Sequence, residues 1–350
     1  MGGRRNAAAL SNPFCVRENL FFLRMRATRF TQPSNRPSAI ASGDLAALVG
    51  LFLAALVARV PTPARQRGND NSQGRIRVEV TLVNVLSSVL DKDGRPALGL
   101  TADQFELYEE GVKQKIEVFE PETQQPLDLA LMIDSSLSET KELAFEGEAS
   151  SRFIQKLVRP GDRAAVFSFS DAVDQLSPLT SELAKLQAAL HRVQPGGGTA
   201  LYDAIFIGAQ TLERNPSSRR RAIVLVTDAG ETTSRADFET ARRAAIRSEA
   251  LLYTIVVRAV QSENGRNTAG EHALETIADS TGGAIYYADE LAQLDSMFDR
   301  IDRELRTQYR LGYYPNPRPP AGTYRMIEVR VKGDYKVRYR KAYFSGGRLD

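Results

Sequence analysis

The stretch "LDLALMIDSSLSET" (residues 127–140) places a run of apolar residues directly before an aspartate and three serines. An apolar run of this length is typical of a strand that is buried on both faces of a parallel sheet. Asp134, Ser136 and Ser138 then follow at every second position. Polar side chains at the end of a buried strand have two interpretations, a cap for the next helix or part of a binding site.

Three further apolar runs repeat this pattern along the chain: "AAVFSFS" (164–170), "AIVLVT" (222–227) and "LLYTIVV" (251–257). The segments between them carry apolar residues at helical spacing, as in residues 181–193, where Ser181 is a candidate N-cap, and in residues 238–252. Alternating strands and helices predict an α/β fold, a doubly wound, mostly parallel sheet with helices on both faces.

Both flanks of this region have the alternation of half-buried strands instead. Ile76, Val78, Val80 and Leu82 predict one strand, residues 105–120 a hairpin turning at Gly111, and residues 324–344 a hairpin about Gly333 and Asp334. Neither flank is long enough for a stable sheet alone. We therefore expect residues 75–122 and 306–345 to pack together as one small β-rich module, into which the α/β domain (125–305) is inserted.

Three polar clusters fall where the apolar strands end, the place where open α/β sheets bind ligands. They are "DSSLS" (134–138), "PGGGTALYDAI" (195–205) and "VTDAGE" (226–231). Each cluster alone fits a helix cap, but together they bring oxygen atoms to one edge of the sheet. Hydroxyl and carboxylate oxygens are the ligands of hard cations, so the pattern predicts a Mg²⁺ site, with Mn²⁺ or Ca²⁺ as alternatives. The candidate ligands are Asp134, Ser136, Ser138, Thr199 and Asp228.

These five residues, in this order and at these strand ends, resemble the metal-ion-dependent adhesion site of von Willebrand factor type A domains. The resemblance covers roughly residues 125–305. It implies that Ser136, Ser138 and Thr199 contact the metal, and that Asp134 and Asp228 act directly or through water. The flanking sequences also resemble the bacterial VWFA-related family of exported proteins. Ala229 departs from the pattern, because many members of the family have glycine there.

The charge of the chain is unevenly distributed. Residues 1–67 contain ten arginines against Glu18 and Asp44, a net charge of +8, whereas the whole chain carries only +3, so that the remainder is mildly acidic. An acidic body gives no reason to expect a nucleic-acid partner.

The segment 1–67 also contains fourteen uncharged residues, 45–58, which have the length of a signal peptide's apolar region. It predicts export, with Met1 or Met25 as the start, to a periplasmic, extracellular or membrane-anchored location, residues 45–58 being the anchor in the last case.

One basic cluster has two interpretations. "SSRRR" (217–221) fits a patch for an anionic partner, but a charged cluster before a strand is more often a solvated turn, and we expect the turn. The two histidines, His191 and His272, are far apart in sequence, and each is expected to be a helix-surface or partly buried residue rather than a catalytic base.

The sequence favours a binding protein over an enzyme. A cation held largely by hydroxyls keeps a position for an outside ligand, and the resemblance implies that an acidic residue of a protein partner fills it. The alternatives are a Mg²⁺-dependent hydrolase such as a phosphatase, and a structural envelope domain with an idle site. The hydrolase usually needs a second acid two residues after the first aspartate, where this chain has Ser136, and the chain has no GxSxG motif.

Overall fold

A computed structural model describes residues 82–121, 124–136, 140–215, 218–258 and 267–346. These residues belong to one compact unit, Gly74–Asp350. They form the strands β1 Val83–Leu90, β2 Phe105–Glu109, β3 Val112–Gln114, β4 Val118–Glu120, β5 Leu127–Asp134, β6 Arg163–Phe169, β7 Val173–Thr180, β8 Arg220–Thr227, β9 Ala250–Val257, β10 Ala284–Ala288, β11 Tyr309–Tyr313, β12 Thr323–Val331, β13 Lys336–Tyr339 and β14 Ala342–Ser345. Their α-helices are α1 Thr140–Leu157, α2 Leu183–Leu190, α3 Leu201–Glu213, α4 Phe238–Arg247, α5 Thr268–Thr281 and α6 Leu294–Arg306.

The apolar runs form a six-stranded sheet in the order β10-β9-β8-β5-β6-β7. All neighbours are parallel except β7, which pairs with β6 antiparallel at one edge. The strand order reverses between the first half of the domain and the second, as in doubly wound folds. The predicted fold class is confirmed.

Helices cover both faces of this sheet, which explains why its central strands are apolar throughout. One face packs on α1, α2 and α6 through residues such as Phe153, Leu186 and Phe298. The other packs on α3, α4 and α5 through a second cluster. Strand β9 divides its side chains between them, since Tyr253 lies in the first cluster and Leu252 in the second. Leu252, which the helical pattern of residues 238–252 included, therefore belongs to a strand.

The flanking segments form two four-stranded sheets, β13-β1-β11-β4 and β14-β12-β2-β3. Strands from before the α/β domain pair with strands from after it in both sheets: β1 lies antiparallel to β11, and β2 antiparallel to β12. A third core between the sheets contains Val85, Leu107, Tyr309 and Val329. Strand β1 begins at Val83, and the earlier alternating residues 76–80 lie outside the described part of the chain.

Two local predictions are wrong. The hairpin about Gly333 and Asp334 does not form, because β12 pairs with β14 and β2, whereas β13 pairs with β1 in the other sheet. The N-cap of α2 is Glu182 and not Ser181, and no side chain caps that helix end. The predicted hairpin at Gly111 does form, with Glu109 opposite Val112.

The prediction that "SSRRR" is a solvated turn is also wrong for the arginines. Arg220 is 3% exposed and donates from Nε to the carbonyl oxygen of Gln125 at 2.9 Å. Arg219 Nε donates to the buried carboxylate of Asp128 at 2.7 Å. These side chains turn inward because β8 begins at Arg220, at the end of the sheet where it adjoins the β-rich module.

The segment predicted to direct export, residues 45–58, lies outside the described residues. Within the described residues, none of the helices has the length and apolarity needed to span a membrane. The assignment of this segment stays a prediction.

Candidate metal-binding site

Two neighbouring strands deliver the carboxylates of the candidate site. β5 ends at Asp134 and β8 at Thr227, directly before Asp228, and the two strands are parallel with Ile133 opposite Val226. The carboxyl ends of parallel neighbours meet at one edge of a sheet. Asp134 and Asp228 are thereby brought to the same edge from positions far apart in the chain.

Asp134 is buried and held in a fixed orientation by two hydroxyl groups. Its Oδ1 atom accepts hydrogen bonds from the backbone N–H of Ser136 at 3.0 Å and from Ser136 Oγ at 2.5 Å. Its Oδ2 atom accepts one from Thr227 Oγ1 at 2.5 Å. One oxygen of this carboxylate is therefore oriented by the loop after β5, and the other by the last residue of β8.

Thr199 and Asp228 flank a common point beside Gly230. A methyl group added to Gly230 would lie 2.9 Å from Asp228 Oδ1 and 3.3 Å from Thr199 Oγ1. The backbone N–H of Gly230 donates to the same Asp228 oxygen at 2.7 Å. Thr199 is buried and Asp228 is exposed. The threonine therefore lies inside the site and the aspartate at its solvent-facing rim.

The loop that precedes α3 is fastened to the loops after β5 and β6. Gly196 donates its N–H to the carbonyl oxygen of Ser135 at 2.9 Å, and Ala200 donates to that of Ser170 at 2.6 Å. These backbone contacts fix the loop at both ends and place Thr199 against the sheet edge.

The same threonine is also bound to the loop after β8. Thr199 donates its N–H to Thr232 Oγ1 at 2.8 Å, and its carbonyl oxygen accepts from the N–H of Thr232 at 2.9 Å. Glu231 reaches from this loop to the start of α3, where its Oε2 accepts from the N–H of Tyr202 at 3.1 Å. All three polar segments are therefore joined by hydrogen bonds.

Two of the three consecutive glycines are required by close packing. A Cβ on Gly196 would lie 2.2 Å from Ser170 Oγ, and one on Gly198 would lie 2.7 Å from Thr233 Cγ2. A Cβ on Gly197 would meet nothing within 4 Å. The run is therefore more than a flexible approach to a helix, since its first and third members let the loops touch.

Ala229 adopts the backbone conformation that glycine favours, with φ of 66°. Its N–H donates to Thr227 Oγ1 at 3.0 Å, which ties this strained residue to the hydroxyl that orients Asp134. The left-handed conformation costs a residue with a Cβ about 1–2 kcal/mol. The surrounding contacts hold Ala229 in place, including Gly270, whose Cα lies so close to the Ala229 carbonyl that a Cβ would come within 1.9 Å.

Asp134 is a buried carboxylate that has no positively charged partner among the described residues. Burial raises the pKa of Asp134 to about 6, and the nearby Asp228 carboxylate adds to the rise, while the hydrogen bonds from Ser136 and Thr227 oppose it. Within the described ranges, no lysine or arginine forms an ion pair with either aspartate. An oxygen-only cluster with two carboxylates and no basic partner fits a bound cation.

The site is poor in the side chains that bind transition metals. Among the residues that the structure describes, no group of three or more His, Cys, Asp or Glu side chains is arranged to hold a metal ion. The candidate ligands are two carboxylates and hydroxyls, a donor set that suits a hard cation. Of the five predicted ligands, the structure links Asp134, Ser136, Thr199 and Asp228, and Ser138 lies outside the described residues.

Residues 129–231, which span this cluster, match the family model of the von Willebrand factor type A domain. This part of the chain is therefore similar to a von Willebrand factor type A domain. This confirms the resemblance that the sequence motif carried. Domains of this family generally mediate protein–protein interaction. No curated protein sequence matches the chain.

Several solved structures are similar to the chain. A von Willebrand factor type A protein from Catenulispora acidiphila shares 13% identity over 78% of this chain and 76% of that chain, with a TM-score of 0.47. The conserved hypothetical protein BatB from Bacteroides thetaiotaomicron shares 15% identity over 52% of this chain and 100% of that one, with a TM-score of 0.41. The vWF domain of the type V pili tip protein Mfa5 from Porphyromonas gingivalis shares 15% identity over 52% and 95%, with a TM-score of 0.40.

Sequence reasoning missed three residues that shape the candidate site. Thr227 orients Asp134, Thr232 holds Thr199, and Glu231 caps the first turn of α3. All three lie in the stretch "VTDAGETT" (226–233), and the only sequence signal for them is their position close to Asp228. The role of Thr227 depends on β8 lying next to β5, and the roles of Thr232 and Glu231 depend on the loop after β8 lying beside the start of α3, neither of which the sequence alone gives.

Proposed function

We propose that this chain is an exported protein-binding module that holds Mg²⁺ at its type A domain and uses it to bind a carboxylate of a partner protein. The observation that carries the proposal is a buried Asp134 that has no basic partner in the described residues and whose carboxylate contacts only the Ser136 and Thr227 hydroxyl groups and the backbone N–H of Ser136. Burying a carboxylate without compensation is expensive, and a cation would offset that cost.

The residues that would hold the ion are Asp134, Ser136, Ser138, Thr199 and Asp228. Mg²⁺ prefers six oxygen ligands in octahedral geometry and usually keeps several waters. Hydroxyl ligands are neutral, so they leave much of the ion's charge available to a further anionic ligand. A partner's glutamate or aspartate is a suitable ligand for that purpose.

The rim of the site is open to a partner. Asp228, Gly196, Gly197 and Thr232 are all exposed, although Asp134 beneath them is buried. A partner's side chain would therefore approach from the solvent side of the three loops. Exposed loops on a rigid sheet are the usual carriers of binding specificity.

Export rests on the sequence of residues 1–67, where ten arginines surround an apolar segment of signal-peptide length. An exported module with a cation site suits interactions in the cell envelope or outside the cell. N-terminal sequencing of secreted protein tests this part: cleavage after residue 58 or beyond supports export, and an intact N-terminus in a cytosolic fraction contradicts it.

Calorimetric titration of MgCl₂ into the full-length protein tests the metal site. We expect saturable binding in the wild type and none in Asp134→Asn, a variant with nearly the same shape. Asp334→Asn is the matched control, because Asp334 is an exposed turn residue of the β-rich module. Equal Mg²⁺ binding in Asp134→Asn and the wild type would remove the basis of the proposal.

The same proteins separate binding from catalysis. Turnover of a general phosphoester substrate that is lost in Asp134→Asn would favour the hydrolase, whereas EDTA-sensitive capture of an envelope protein favours the binding module. If a partner is captured, replacing the aspartate or glutamate that binds the metal with asparagine or glutamine should abolish its capture.

A further inference from the structure

A cavity of about 290 Å³ lies at the opposite end of the sheet from the metal-binding cluster. Its lining includes Arg220 and Arg221 at the start of β8, Arg310 of β11, and Arg340 with Asn84 from the β-rich module. β8 runs from Arg220 to Thr227, so the cavity and the cluster are separated by the length of one strand, roughly 20 Å. The cavity therefore lies where the type A domain meets the β-rich module.

Positive charge dominates this cavity. Five arginines line it, the four above and Arg219, and Glu249 is the one acidic residue among its lining residues. Three of the five have carboxylate partners: Arg219 binds Asp128, Arg310 binds Glu120, and Arg340 Nη1 lies 2.6 Å from Glu249 Oε1.

The other two arginines have no such partner. In the described part of the chain, neither Arg220 nor Arg221 forms an ion pair with a carboxylate. Arg220 is 3% exposed, and its contacts are to neutral oxygens, including the carbonyl groups of Gln125 and Leu305. Arg221 Nη1 likewise donates to the carbonyl oxygen of Ser248, at 2.9 Å. Two of the positive charges at the cavity therefore have no carboxylate in direct contact among the described residues.

Some guanidinium N–H groups at the cavity also lack hydrogen-bond acceptors among the described residues. Arg220 Nη2, Arg221 Nε and Arg340 Nε are buried and have no hydrogen-bond partner among the described residues. Arg340 is 7% exposed, so two of these three side chains are more than nine-tenths buried. A buried donor left unsatisfied costs about 1–3 kcal/mol, and more for a charged group. A ligand with oxygen atoms and negative charge in the cavity would offset that cost.

Burial also makes the protonated form of Arg220 less favourable. Desolvation, with the neighbouring Arg306 charge adding to it, lowers the pKa of Arg220 to about 10. The guanidinium remains charged at neutral pH, and an anion beside it would raise this pKa again.

We propose that this cavity binds a small dianionic oxyanion, inorganic phosphate or a phosphate monoester, between the type A domain and the β-rich module. Planar guanidinium groups donate paired hydrogen bonds to phosphate oxygens, which is why arginine is favoured at such sites. A volume of 290 Å³ equals about ten water molecules and holds one tetrahedral oxyanion with a small organic group. The charge of the ligand matches the two arginines without carboxylate partners.

The bound anion would join two parts of the molecule. Arg220 and Arg221 belong to the type A domain, whereas Arg310 and Arg340 belong to the β-rich module. A ligand that contacts both sets stabilises their junction, and a ligand of the folded state raises the unfolding temperature.

Thermal melting and calorimetric titration of the full-length protein in a phosphate-free buffer test the proposal. Sodium phosphate is expected to raise the melting temperature above that in sodium chloride of equal ionic strength, and to bind with one site per chain. Arg221→Gln and Arg340→Gln each should weaken phosphate binding at least tenfold. Arg330→Gln is the control, because Arg330 is exposed on β12 and pairs with Glu328.

A parallel titration with glycerol 3-phosphate distinguishes the two possible ligands, a phosphate monoester and free inorganic phosphate. Tighter binding of the ester identifies a phosphate monoester as the ligand, and binding of the inorganic ion alone identifies free phosphate. Equal effects of phosphate and chloride overturn the proposal, as does unchanged phosphate affinity in both Arg221→Gln and Arg340→Gln. Addition of EDTA should leave phosphate binding unchanged, which separates this cavity from the metal-binding cluster.

Discussion

Thr227 Oγ1 donates a 2.5 Å hydrogen bond to Asp134 Oδ2 across a sequence separation of 93 residues. The two residues end neighbouring parallel strands, β8 and β5, so the contact fixes one carboxylate of the candidate site relative to the strand that carries the other. The same hydroxyl oxygen accepts from the N–H of Ala229. Thr227 thereby couples the orientation of Asp134 to the backbone of the loop that bears Asp228.

Thr227→Val tests this coupling, because valine keeps the shape of the side chain and removes the hydroxyl. We expect Mg²⁺ affinity to fall about 10–100-fold, the usual effect of losing a group that orients a metal ligand. Calorimetry measures the change. Thr211→Val is the control, because the Thr211 hydroxyl bonds only to its own helix, at Ile207. The positioning role is wrong if both variants bind Mg²⁺ as the wild type does.

The triple glycine offers a matched pair of substitutions one residue apart. Gly196→Ala would place a Cβ 2.2 Å from Ser170 Oγ, so the loops must separate, at a cost of about 1–3 kcal/mol in the free energy of unfolding. Gly197→Ala meets no atom within 4 Å and should leave stability unchanged or raise it by up to about 1 kcal/mol. Urea denaturation at equal Mg²⁺ concentration compares the two. Equal stability of both variants would show that the close approach of the loops is not needed for the fold.

A buried ion pair joins α6, the last helix of the α/β domain, to the β-rich module. Glu304 of α6 accepts from Arg338 Nη2 of β13 at 2.6 Å and from the hydroxyl groups of Tyr253 and Tyr286 at 3.1 and 3.0 Å. Glu304→Gln leaves the charge of Arg338 buried without a counter-charge. Breaking a buried pair from one side typically costs about 3–5 kcal/mol, and we expect the lower end because glutamine still accepts hydrogen bonds.

The matched control for this prediction is Glu328→Gln. Glu328 pairs with Arg330 on the surface of β12, where both side chains are about half exposed, so the loss should stay below about 1 kcal/mol. Chemical denaturation measures both variants. A Glu304→Gln loss no larger than that of Glu328→Gln would mean that the pair does not stabilise the junction.

Local patterns in the sequence predicted the sheet but not every pairing within the β-rich module. The four apolar runs became β5, β6, β8 and β9, because a strand covered on both faces must be apolar throughout. The turn at Gly333 and Asp334 looked like a hairpin, yet β13 pairs with β1 through Ser87 opposite Tyr339. Two strands on either side of a turn can join different sheets, and only contacts distant in sequence decide between the possibilities.

The sequence shows the positions of the candidate ligands, but not the residues that hold those side chains in place. Asp134, Ser136, Thr199 and Asp228 stand at strand and helix ends, which a sequence shows. Thr227 acts through a neighbouring strand, and strand order is not visible in one sequence. The prediction of a solvated turn at residues 219–221 is wrong for a related reason, since the burial of these arginines depends on the β-rich module packing against the end of the sheet.

Asp134→Asn gives opposite results with and without the cation, which makes it the sharpest test of the site. Without metal, Asp134 is a fully buried carboxylate that has no basic partner in the described residues and lies near the Asp228 charge, so its neutral amide should be as stable as the wild type or more stable. With Mg²⁺ at 100 times the dissociation constant, the wild type should gain about 2.7 kcal/mol, and the variant should gain nothing. Urea denaturation in EDTA and in MgCl₂ measures the four values, with Asp334→Asn as the control for the loss of one negative charge. A variant that is less stable than the wild type in EDTA, and that gains the same stability from Mg²⁺, would show that Asp134 serves the fold and not a cation.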